Sequence, residues 1–65
     1  MSSERPEYYL ARAAEERAAA ASAPTPALAR VHDDLAAMYG RMASQATERK
    51  RALAQQAEAY VEELA

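Results

Sequence analysis

The sequence predicts an all-α chain: an antiparallel helical hairpin with a long second helix, completing a bundle by dimerisation. Three observations predict it. Of the 33 apolar residues 19 are alanine. Alanine is the strongest helix former, and the Glu, Gln and Arg between the alanines are also good ones. One glycine and three prolines leave little loop material, and Pro24 and Pro26 stand together. From Leu28 to Leu64 the larger apolar residues recur at a mean step of about 3.6, the helical period.

The first helix is expected over about residues 4–22. Pro6 suits a first helical turn and Ser3 is the expected N-cap before it. Glu4 and Glu7 place negative charge where the helix dipole favours it. Its apolar stripe reads Tyr9, Leu10, Ala13, Ala14, Ala20 and Ala21, with Arg17 inside it. The acid pairs Glu15-Glu16 and Asp33-Asp34 read as solvated-face residues. Residues 23–25 form the turn, because the residue before each proline is pushed out of helical conformation. Thr25 then caps a second helix that starts at Pro26 and runs to about Glu63.

The stripe of that second helix is Leu28, Val31, Leu35, Met38/Tyr39, Met42, Ala46, Leu53, Ala57, Tyr60 and Leu64. Arg30, Asp33, Arg41, Ser44, Glu48, Arg51, Gln55, Glu58 and Glu62 fall opposite. Gly40 is the one place for a kink, since glycine costs about 1 kcal/mol in a helix interior. The stripe passes it in phase, so a continuous helix is expected.

The two helices differ in length by roughly a factor of two, about 25 Å against about 57 Å at 1.5 Å per residue. The first therefore covers the second only to about Ala43. Leu53, Ala57, Tyr60, Val61 and Leu64 are left as an uncovered amphipathic arm, which calls for a partner. Self-association is the simplest answer, and a heterologous protein the alternative. The expected interface residues are Tyr9, Leu35, Tyr39 and Met42 on the hairpin, with the five on the arm. Tyr9 and Tyr39 also read as an aromatic plug at the open end of the hairpin, with Tyr8 and Tyr60 as candidate anchors. Arg49 falls on the stripe, where a polar residue sets register in a coiled coil. The acidic end, Glu58, Glu62 and Glu63, is complementary to the basic run Arg49-Lys50-Arg51 of an antiparallel second copy.

The same residues narrow the function. The chain has no cysteine, so neither a disulfide nor a thiolate metal site is available. A 65-residue chain with few large side chains offers little core for a catalytic pocket. His32 is the only histidine, and Leu28, Leu35, Ala29 and Ala36 occupy the positions where a helical metal site needs ligands. It reads as a stripe-edge residue hydrogen-bonded to a carboxylate or tyrosine. No catalytic residue, metal or cofactor is expected, and no enzyme. The acidic balance, pI about 5.3, argues against nucleic acid. The alternative function is a nucleic-acid-associated protein using Arg41, Arg49, Lys50 and Arg51. The polar N-terminal residues and the short uncharged runs lead us to expect no secretory signal, no membrane span and a cytoplasmic location. The expected function is a small non-enzymatic protein-interaction module: an adaptor, regulator or accessory subunit.

Two segments carry a family likeness. Tyr8-Tyr9-Leu10-Ala11-Arg12-Ala13-Ala14-Glu15-Glu16-Arg17 is followed by His32-Asp33-Asp34-Leu35-Ala36-Ala37-Met38-Tyr39. In this the chain resembles a group of short alphaproteobacterial helical-hairpin proteins: a Tyr-Tyr helix, a short break, then His-x-x-Leu-Ala-x-x-Tyr. The resemblance spans residues 7 to about 43. It implies that Tyr9, His32 and Tyr39 belong to one hairpin unit, and it implies no activity.

Overall fold

Local signals set both helices. In the computed structural model, which describes residues 5–64, α1 spans Pro6–Ala21 and α2 spans Pro26–Leu64. The chain is thus an all-α hairpin. Arg5 holds the N-cap position of α1 in extended conformation, without a side-chain capping bond. Ser3, the expected cap, lies outside the described residues. At the other end the Ser22 amide and hydroxyl both donate to the Ala18 carbonyl, each at 3.2 Å. Pro24 then forbids another helical turn. Thr25 caps α2: its Oγ1 accepts from the Leu28 amide at 3.1 Å, and its carbonyl from the Ala29 amide at 3.0 Å.

Gly40 lies inside α2, and no glycine has a positive φ. A Cβ built on it meets nothing within 4 Å. The glycine therefore costs helix propensity and returns no contact. Gly40→Ala is expected to stabilise the fold by about 1 kcal/mol. That is a rise of roughly 4–8 °C in the thermal midpoint followed by circular dichroism. A lower midpoint would mean that α2 needs the glycine.

The helices pack antiparallel along a seam whose steps alternate between three and four residues. On α1 it holds Pro6, Tyr9, Ala13, Glu16 and Ala20, continued by Ala23 in the turn; on α2 it holds Ala29, His32, Ala36, Tyr39, Ala43 and Ala46. Alanine recurs every seventh residue on both sides: Ala13 and Ala20, then Ala29, Ala36 and Ala43. Between the alanine levels Tyr9 meets Tyr39 and Glu16 meets His32. Moving seven residues forward on α1 moves seven back on α2, which fixes the register.

This seam is rotated from the stripes read in the sequence. Ala14, Arg17 and Ala21 are exposed and outside the seam, and Leu10, also exposed, only flanks α2 beside Gly40 and Ser44. Glu16 is not a solvated residue; it is 9% exposed. On α2 the large residues Leu28, Val31 and Met38 are exposed, and the fully buried residues are Ala36, Ala43 and Ala46. The physical reason is size. Alanine has nothing beyond Cβ, so an alanine face lets two backbones close up and gain dispersion contact along their whole length. A leucine face would hold the axes apart.

Coverage by α1 also reaches further than Ala43. Ala46 is buried and Thr47 half-buried, while every residue from Glu48 to Leu64 is exposed. The molecule is a rod of 60 × 16 × 16 Å. Its first half is two helices thick and its second half is the bare arm of α2.

Candidate interaction surface

Inside the hairpin one polar node replaces an apolar layer. Glu16 is its centre. Its Oε1 lies 2.7 Å from His32 Nδ1, and its Oε2 accepts from Arg12 at 3.1 Å. Arg12 also pairs with Glu15. The Arg12 guanidinium carbon sits 5.1 Å from the centre of the Tyr39 ring, a cation–π distance. Hydrogen bonding to Tyr39, then to Glu15, raises the Arg12 pKa further above its already high usual value. No buried side-chain polar atom among the described residues lacks a partner. A buried carboxylate held this way is tolerable because both oxygens are satisfied.

His32 therefore does what a stripe-edge histidine was expected to do: it hydrogen-bonds a carboxylate. Among the described residues no three His, Cys, Asp or Glu gather to hold a metal ion. Glu16 and Arg12 were missed as members of the site. Their i, i+4 spacing, together with the run Tyr9, Ala13, Glu16, Ala20 in steps of four, three and four, is the signal that locates them.

The tyrosines sit where the antiparallel hairpin requires. Tyr9 stacks on Tyr39 with centroids 6.5 Å apart and planes 24° from parallel. Tyr8 meets Tyr9 edge-on at 5.4 Å. Tyr9 and Tyr39 are half-buried within the hairpin and form its aromatic layer, whereas Tyr8 and Tyr60 are exposed. Leu35 and Met42 are half-buried at the hairpin edge.

The remaining expected interface residues stand open. Leu53 is 66% exposed, Tyr60 62% and Leu64 70%; Ala57 and Val61 are also exposed. Within the hairpin Leu28, Val31 and Met38 lie to one side of the alanine seam and are exposed, while Leu35, Tyr39 and Met42 are half-buried and Ala46 is buried. Beyond Ala46 the seam's alternation of three and four residues continues through Leu53, Ala57, Tyr60 and Leu64, where no α1 covers it.

The basic run does not make one face. Arg41, Arg49, Lys50 and Arg51 are exposed and project in four directions around the helix. Arg51 lies 3.6 Å from Glu48, an exposed pair of little energetic consequence. Where the start of α1 meets the arm there is a shallow depression of about 380 Å³. Pro6, Ala46 and Leu53 give it apolar lining, and Arg5, Arg49, Lys50 and Glu7 give it charge. Among the described residues no helix is long and apolar enough to cross a membrane. Comparison with protein-family models, with curated proteins and with solved structures finds no match to this chain.

Proposed function

We propose that this chain is a small protein-interaction module acting through the apolar stripe of α2, in the role of adaptor, regulator or accessory subunit. The observation that carries the reading is the exposure of the stripe on the arm. Folding of the hairpin buries the alanine seam and leaves Leu28, Val31, Met38 and the large side chains of the arm exposed. Each large apolar side chain gains about 1.5–3 kcal/mol on full burial. Four such residues on the arm, Leu53, Tyr60, Val61 and Leu64, therefore represent a gain that only another surface can supply. The arm needs it, because most helical stability in proteins comes from packing of an amphipathic face.

Two measurements test this. Helicity followed by circular dichroism over a dilution series is expected to fall as the arm loses its partner. Leu53→Glu combined with Tyr60→Glu is expected to abolish association seen by light scattering or co-purification. Glutamate is a good helix former, so the hairpin should keep its helicity. Association that survives both charges overturns the reading.

A further inference from the structure

Resting on that reading, we propose that the arm's partner is a second copy of this chain, bound antiparallel so that each arm tip docks at the mouth of the other hairpin. Charge selects the direction. The arm starts with Arg49, Lys50 and Arg51 and ends with Glu58, Glu62 and Glu63. The last turn of α2 has no basic residue. Acid there opposes the helix dipole, so the tip is unfavourable alone and gains from an external cation.

The apolar residues set the register. With Leu53 of each copy level with Tyr60 of the other, Ala57 comes to the two-fold axis as a small layer between two large ones. In that register Lys50 is level with Glu63 and Arg49 with Leu64, and both cations flank the stripe, whereas Arg51 and Glu62 lie on the opposite face. Leu64 then arrives beside Arg49, at the depression lined by Pro6, Ala46 and Leu53. The depression offers apolar lining to Leu64 and, with Arg5 and Lys50, cationic neighbours to Glu63. This gives Arg49 its place on the stripe: it lies where the acidic tip of the second copy ends.

Two arms of 17 residues paired along about 25 Å bury enough to approach the roughly 1,000 Å² that a specific interface needs, at the low end of stable ones. The dimer is therefore concentration-dependent. Leu28, Val31 and Met38 stay exposed in it. A longer antiparallel overlap, centred near Ala46, would cover that part too. It would set Glu58 level with Asp34 and carry the acidic tip away from the basic run, so charge disfavours it.

The test uses the absence of cysteine from the chain. Gln45→Cys and Gln56→Cys, both at exposed positions, each receive one spin label, and distances between copies are read by pulsed dipolar spectroscopy. The proposal expects Gln56 labels to be close, on helices whose axes lie about 8–10 Å apart. It expects Gln45 labels about 34 Å apart along the pair. Gln45 close with Gln56 far means the longer overlap, and both close means a parallel pair; either overturns it. A monomer at every concentration overturns it as well, while the stripe reading still stands or falls on Leu53 and Tyr60 against another protein. As a second variant, Arg49→Glu with Lys50→Glu is expected to be monomeric alone. It should dimerise when mixed with the Glu63→Lys chain. Failure to dimerise on mixing overturns the charge pairing.

Discussion

Ala36→Leu is expected to destabilise the hairpin by about 1–3 kcal/mol, the usual cost of forcing methylenes into a filled contact. Ala36 is 3% exposed and stands level with Ala13, which is 1% exposed. A leucine between them must push the helices apart. Separation then weakens the neighbouring levels, Tyr9 on Tyr39 and Glu16 on His32. A chain of this length has a net stability near zero by burial and ordering entropy, so the loss is a large share of the total. Ala37→Leu is the control. Ala37 is exposed, and leucine and alanine differ little in helix propensity. Urea denaturation should separate the two variants clearly. Equal midpoints would mean that α1 does not pack on the alanine face.

Glu16→Ala is the second large expected effect, about 1–2 kcal/mol. Hydrogen bonds to a charged group contribute about 1.5–3 kcal/mol. The Arg12 and His32 side chains are 32% and 34% exposed, so solvent screens part of that. Arg12 keeps Glu15, but His32 loses its one carboxylate within the hairpin. A double-mutant cycle with His32→Ala should show a coupling of at least about 0.5 kcal/mol, as contacting pairs do. Glu16→Leu makes the converse test. Filling the site with apolar volume is expected to recover most of the stability, because replacing a buried polar pair by well-packed apolar volume is often neutral or stabilising. A cycle with no coupling would remove Glu16–His32 as the residue pair that sets the register.

The ends of the helices were legible in the sequence because their causes are local. Thr25-Pro26 acts only on the next turn, through the Leu28 and Ala29 amides that Thr25 accepts from, and the Thr25 cap is where it was expected. The existence of the arm was legible for a similar reason: helix length is set by prolines and caps, and two lengths are compared by counting. His32 was placed by what surrounds it in sequence, since Leu28, Ala29, Leu35 and Ala36 hold the positions three and four residues away. The phase of the packing was not legible in the same way. Within the hairpin α2 offers two faces about 90° apart, one of large aliphatics and one of alanines. Periodicity weights each residue by its hydrophobicity and so points to the first.

Sequence by itself determined that this chain is two helices of unequal length, that they lie antiparallel, and that the longer one outruns the shorter. Only the tertiary structure decided which face of α2 receives α1, that Glu16 is buried, and that coverage runs to Ala46. Those outcomes depend on how closely two backbones can approach. Close approach is a property of the pair: Ala13 against Ala36, Ala20 against Ala29, with Glu16 and His32 closing the level between. No single-helix pattern contains that distance. Its consequence is that Leu28, Val31 and Met38, three of the large residues the sequence advertises most strongly, are left exposed on the hairpin.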